Sequence, residues 1–431
     1  MVDIGMERCK NTLFAEELNK MNREQGSMFS MELEKLVRDT ERVGISPPLP
    51  AKEFARLLDK ATRLPLAGTE IIDLINSTRS EANCEIVLDY ASSYRRPHDR
   101  EVLLLPPLYF SSICENACQY CNFRQDGQRL DLSEFKREFS FLVDLGFRSI
   151  ELVSSQDSEI FLKADGFSLD NQHFQTNSLL PYIQFASQSL KKNGGGMLTT
   201  NIPPLDVESL RSLRENGLDC FLVWQETFNP GQYRKLHVRE GPKSRQRFRL
   251  DSMENSIAAG IKHLAGAFLK GLYDWRKEEV LMYLFDRYLK TKNDRGFSII
   301  GSPRVKGRFA ESPLISPYRV SDREYEVNIA LDRILFDGIL WLQTRESFDF
   351  NRRLIRRFGG GVILTLVSST APGGYAKPAG ADSQFPVFKQ DMLDSVRQLE
   401  ADGFAVRFAW DEAVLSAFQR TAACSGTESN D

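Results

Sequence analysis

The chain has 431 residues, 42% hydrophobic and 10% aromatic, with 56 Lys and Arg against 59 Asp and Glu for a net charge of -3. That apolar content excludes wholesale disorder, and the near-neutral balance argues against a basic surface for nucleic acid. No apolar run approaches the roughly 20 residues of a membrane helix, the segment MVDIGMERCKNTLFAEELNK lacks an apolar signal core, and seven cysteines are too few and too odd for a disulfide scaffold; a cytoplasmic globular protein is expected.

Residues 1–50 are polar and charged, broken by Pro47, Pro48 and Pro50, and read as an arm of helix and loop. Amphipathic patterns at 54–61 and 70–77 place apolar residues at i, i+3 and i+4, which predicts two helices packed as a cap on the C-terminal three-quarters of the chain. From there strand-like runs at 102–110, 149–154, 197–202, 220–223, 264–269, 297–300, 339–342 and 362–367 alternate with helix-like runs. The helical runs lie at 132–145, 179–192, 207–216, 253–261, 277–292, 322–336, 348–358 and 391–401. Strict alternation predicts a parallel sheet with helical crossovers. Eight such units close an α/β barrel of the (β/α)8 TIM type. An open doubly wound sheet competes, because periodicity does not decide closure. The expected organisation is a helical N-terminal extension over 1–100, the barrel over 101–415 and a short polar tail over 416–431.

Just past the first strand run stands Cys114-Glu-Asn-Ala-Cys118-Gln-Tyr-Cys121, a C-x3-C-x2-C spacing. A structural zinc site takes four protein ligands, commonly from paired C-x2-C units, and no second pair exists here. Three thiolates on one loop suit a [4Fe–4S] cluster with one iron left open for chemistry. Zinc and inert thiols remain the competing readings of the spacing itself.

The motif in this position resembles that of the radical S-adenosylmethionine (AdoMet) enzymes. The resemblance implies that Cys114, Cys118 and Cys121 hold the cluster. It also implies that AdoMet binds the open iron and is cleaved to a 5′-deoxyadenosyl radical, with the cofactor carrying the difficult chemistry. Further motifs narrow it: Val223-Trp-Gln-Glu-Thr-Phe228, Tyr233-Arg-Lys-Leu-His237, Gly241-Pro-Lys243, Arg249-Leu-Asp251, Gly271-Leu-Tyr-Asp-Trp-Arg276, Ser302-Pro-Arg304, Thr344-Arg-Glu-Ser347 and Ser369-Thr-Ala-Pro-Gly-Gly-Tyr375. In order and spacing these are similar to the aromatic amino acid lyases: the tyrosine lyases of thiamine synthesis and hydrogenase maturation and, more distantly, a tryptophan lyase.

Most of these motifs follow predicted strand ends, the catalytic face of a barrel. By the resemblance, Tyr120 and Phe123 neighbour the adenine, Glu226 accepts from the ribose hydroxyls, and Arg249 clamps the AdoMet carboxylate with paired donors. Arg304 and Gln156 are further AdoMet candidates. Arg345 holds the substrate carboxylate, Thr365 or Ser368 supplies a hydroxyl beside it, and Tyr109 lies near the substrate amine. His237 reads equally as a residue that packs and bonds locally. The implied reaction abstracts hydrogen from the amine of a free aromatic amino acid and cleaves a carbon–carbon bond, giving 2-iminoacetate and p-cresol from tyrosine. A tryptophan lyase or rearrangement is the alternative, as is a non-catalytic cluster-bearing subunit. Implied partners are a reductant such as flavodoxin or ferredoxin and a thiazole synthase-like protein.

Three departures stand out. Ser155–Gln156 replaces the usual Gly-Glu, with Asp157 as a substitute acid. Leu366 and Val367 are bulkier than usual, and Trp224 stands where tyrosine is usual. Cys424 is isolated, so no second cluster is expected near the C-terminus.

Overall fold

The computed structural model describes residues 29–366, 370–379, 383–385, 387–388 and 390–419. Val367, Ser368, Cys9 and Cys424 lie outside the described residues.

Four helices come first, α1 (Phe29–Thr40), α2 (Ala51–Ala61), α3 (Gly68–Ser77) and α4 (Glu81–Ser93). They pack against two later helices that flank the sheet, Trp275–Asn293 and Asp322–Leu335, so the expected cap lies along the helical layer. Arg96 fastens the junction by donating to the carbonyls of Arg333, Phe336, Asp337 and Gly338.

Ten parallel strands then form one sheet: β1 (Glu101–Leu104), β2 (Pro107–Ser111), β3 (Ser149–Ser154), β6 (Met197–Asn201), β7 (Cys220–Glu226), β8 (His263–Phe268), β9 (Ile299–Gly301), β10 (Ile339–Leu342), β11 (Val362–Leu364) and β12 (Ala405–Arg407). Two short strands, β4 (Leu162–Lys163) and β5 (Phe174–Gln175), pair separately as an antiparallel ribbon. The order in the large sheet is β12-β1-β11-β10-β9-β8-β7-β6-β3-β2. Its end strand β2 follows directly in sequence on β1, which lies next to the opposite end, and this brings the sheet round into a barrel. The single strand expected over 102–110 is broken at Leu105–Pro106, since proline cannot donate to a ladder. Below the break β1 pairs with β11 and β12; above it β2 pairs with β3. At the break Leu105 N donates to Leu364 O and Glu151 N donates to Pro106 O, at 3.2 and 3.0 Å, so the segment bridges both walls.

Strand alternation separates two cores. Ile150, Leu152, Leu108 and Phe110 face the helices. Leu103, Cys220, Leu222, Ala265, Ile299, Ile339 and Ile363 face the barrel axis. Trp410 and the last helix (Glu412–Phe418), through Leu415 and Phe418, plug the N-terminal end of the barrel, with Trp410 Nε1 donating to Leu104 O at 2.7 Å. Gly301 is required here: a Cβ would sit 2.2 Å from the Trp224 ring, which fills that side of the axis. No helix among the described residues is long and apolar enough to cross a membrane.

Candidate active site

The cluster loop leaves β2 and returns against it. Cys114 N donates to Arg124 O at 2.8 Å, and Ser112 N donates to Gln128 O at 2.8 Å. Gly127 passes so close to β2 that a Cβ would lie 2.5 Å from the Ser112 carbonyl. The helix Pro230–Leu236 grips the loop from the other side, Gln119 N donating to Leu236 O at 3.1 Å. Burial, then Cys118 and Cys114, pushes the Cys121 thiol up to about 12. Among the described residues no three His, Cys, Asp or Glu side chains converge on a single-ion site. The donor set suits a polynuclear cluster: three loop thiols on three corners, with Asn116 Nδ2 at 3.7 Å from Cys114 Sγ and Phe123 N at 3.4 Å from Cys121 Sγ to soften their charge.

Beside the loop lies a cavity, open to solvent, at the C-terminal ends of the strands. Tyr109, Tyr120, Cys121, Glu226, Arg345 and Thr365 all line it, so the structure brings together residues spread over more than half of the sequence. Glu226 is turned into it by a bulge against β8 and a positive φ of 66°, a backbone state costly for a residue with a Cβ. Burial works to raise the Glu226 carboxyl, but Lys243 and Arg249 outweigh it and hold the group at about 2. Lys243 Nζ lies 2.7 Å and an Arg249 terminal nitrogen 3.6 Å from the same oxygen, Oε1. The buried Arg249 keeps an unpartnered Nε, and the buried Gln156 an unpartnered Nε2. Unsatisfied donors of this kind fit the carboxylate of an AdoMet molecule, and Arg249 reaches the cavity through Glu226.

Tyr120 is fixed by its hydroxyl, which donates to His237 Nε2 at 2.7 Å while His237 Nδ1 donates to Tyr233 O at 2.8 Å. Burial first, then Lys243, lowers the His237 imidazole to about 3, so it stays neutral in this tautomer. His237 therefore packs and bonds locally. Lys243, quoted only as part of a motif, proves central: its ammonium pairs with Glu226 and lies 5.4 Å from the Tyr120 ring centroid.

Arg345 stacks on Phe385, its guanidinium carbon 3.7 Å from the ring centroid, and pairs with no carboxylate among the described residues. Tyr109 donates to Gln384 Oε1 at 3.1 Å. Other expectations meet different geometry. Arg304 is absorbed by Glu346 and Asp322 and stacks on Tyr325, away from the cavity lining. Asp157 is held by Ser111, Arg129 and the Glu159 amide, so it is not free to replace the missing acid. Thr365 lines the cavity, but its hydroxyl accepts from Trp341 Nε1 and donates to Leu105 O. The Phe123 amide faces Cys121 Sγ and its carbonyl accepts from Arg124. Glu151 and Asn201, among the cavity residues that carried no expectation, lie within runs read for their apolar content.

No family model matches the chain. The 2-iminoacetate synthase of Escherichia coli (strain K12) is 28% identical over 328 residues, covering 73% of this chain and 79% of its own. The 3-methylornithine synthase of Methanosarcina acetivorans is 26% identical over 308 residues, 69% of this chain and 77% of its own. The X-ray structure of the FeFe-hydrogenase maturase HydG from Carboxydothermus hydrogenoformans superposes with a TM-score of 0.74 at 26% identity, covering 91% of this chain and 88% of that one. With three loop thiols, the adjoining cavity and these relatives in agreement, the chain belongs to the radical AdoMet superfamily, whose cofactors are a [4Fe–4S] cluster and AdoMet.

Proposed function

We propose that the protein is a carbon–carbon lyase acting on a free aromatic amino acid, in the manner of a tyrosine lyase that yields 2-iminoacetate and p-cresol. One observation carries the reading: Arg345, which has no carboxylate partner among the described residues, shares a cavity with Cys121 and Glu226. When bound, the cluster and AdoMet supply a 5′-deoxyadenosyl radical. Cys114, Cys118 and Cys121 hold the cluster. Glu226 accepts from the ribose hydroxyls, and Arg249 and Gln156 hold the carboxylate and amino end of AdoMet. Arg345 takes the α-carboxylate of the substrate through paired donors and so fixes where its amine stands. Tyr109 and Phe385 wall that position and exclude water.

The test is anaerobic reconstitution with iron and sulfide, then dithionite, AdoMet and each of the twenty amino acids. The expected products are 5′-deoxyadenosine and, with tyrosine, p-cresol. No 5′-deoxyadenosine with any amino acid would overturn the reading. A reductant of the flavodoxin or ferredoxin class, a thiazole synthase-like acceptor and a cytoplasmic site of action are the partners and setting that go with it.

A further inference from the structure

Below the ring of charged groups, the barrel axis is filled by apolar side chains, with one acid among them. Glu151 is 3% exposed and lines the cavity from the middle of β3, one layer beneath Val153 and Tyr109. It receives one hydrogen bond, from Asn201 Nδ2 to Oε1 at 3.0 Å, and no cation pairs with it among the described residues. Glu226, the other acid lining the cavity, is already paired with Lys243 and Arg249. Glu151, Tyr109 and Arg345 all line this cavity, and the β2–β3 register puts Tyr109 level with Val153, two residues along β3 from Glu151.

An amino acid held by its carboxylate at Arg345 would lie in the same cavity as Glu151. Trp224 and Trp341, with ring centroids 5.6 Å apart, give that cavity an aromatic wall. Building on the lyase reading, we propose that Glu151, oriented by Asn201, is the specificity residue: it accepts a hydrogen bond from a donor on the substrate's aromatic ring, a phenol hydroxyl or an indole N–H. A neutral ring donor is favoured over an ammonium group. Burial lifts the Glu151 carboxyl to about 8, and one amide donor is thin support for two buried charges. A buried acid left without its partner penalises any substrate that lacks the donor, the basis of strong discrimination against a deoxy analogue.

The experiment uses the reconstituted holoenzyme. It measures binding by anaerobic calorimetry, and kcat and KM separately, for tyrosine against phenylalanine and tryptophan against 1-methyltryptophan, with lysine as the cationic arm. The wild type is expected to favour the donor-bearing member of at least one pair by on the order of 10³-fold in kcat/KM. Glu151→Leu should shrink that ratio to within about tenfold, mainly through weaker binding and higher KM of the donor-bearing substrate. Glu151→Gln, which keeps an acceptor, should retain most of it, and unchanged iron content shows that both variants fold. Undiminished discrimination in Glu151→Leu, or a wild-type preference for lysine over both aromatic amino acids, would overturn the proposal. Absence of 5′-deoxyadenosine in the wild type would instead remove the lyase reading, while the binding titrations would still decide the role of Glu151.

Discussion

Arg345 faces Phe385 across 3.7 Å and no carboxylate among the described residues. Stacking holds the guanidinium plane without consuming its donors, so two parallel N–H groups stay available for an incoming carboxylate. Truncating one partner of a buried, hydrogen-bonded charge pair costs about 2–5 kcal/mol. Arg345→Ala should therefore lower kcat/KM by on the order of 10²-fold or more. Arg345→Lys should recover only part of it, because an ammonium lacks the fork. Unaltered turnover of Arg345→Ala at low substrate would remove Arg345 from the site. Charged groups just past strand ends, such as Glu226 and Arg345, were legible in the sequence because a barrel puts its chemistry there. Glu151 was not, since a single acid within 149–154 reads as tolerance in an apolar run; the signal was its alternation with Ile150 and Leu152, which marks the axis side. Thr365 was legible as a cavity residue, but its hydroxyl is consumed by Trp341 and Leu105, contacts 24 and 260 residues away in sequence.

At the scale of elements, the strands most readable were those with continuous apolar runs and turn residues beyond, as in Ser149–Ser154 and Ile339–Leu342. The helix Glu81–Ser93 was missed because its buried face includes Asn83 and Cys84 alongside Val87, Leu88 and Ala91, which blurs the apolar stripe. Strand β12 is three residues with a mostly exposed pattern and exists by pairing with β1. Its consequence is larger than its length. It delivers Trp410 and the last helix to the open end of the barrel, where Ser149 Oγ donates to Trp410 O at 2.6 Å and Lys262 pairs with Glu412 at 2.9 Å. Trp410→Ala should cost about 3–5 kcal/mol, as large buried aromatics do. Chemical denaturation would show it as a lower midpoint at an unchanged m-value. A midpoint within error of wild type would mean that the plug contributes no stability.

For the whole molecule, the buried acids set opposing dependences on pH. Glu226 is depressed to about 2, so its contribution is present above the unfolded value of 4.5 and is lost as pH falls towards 2. Glu151 is raised to about 8, so the native state binds more protons than the unfolded state between 4.5 and 8, and stability declines as pH rises through that window. Glu151→Gln removes this second dependence. Its melting temperature relative to wild type should climb from pH 5 to pH 8 and level off above; a constant difference would contradict the burial assigned to Glu151.

The barrel closes at its lower half through Leu105–Pro106, but above that break β2 pairs, among the described strands, with β3 alone. The gap beside it is lined by chain beyond β11. Gly373 N donates to Tyr109 O at 3.0 Å, Tyr375 Oη donates to Pro107 O at 2.9 Å, and Asn122, next to Cys121, donates to the carbonyls of Gln384 and Ser383. One seam thus shares its hydrogen bonds between the strand that carries the cluster loop and the wall that carries Phe385. The expected consequence is reciprocal linkage: an amino acid that binds more tightly to the cluster-loaded protein should slow loss of iron from it by the same factor, which iron retention measured with and without the amino acid would read.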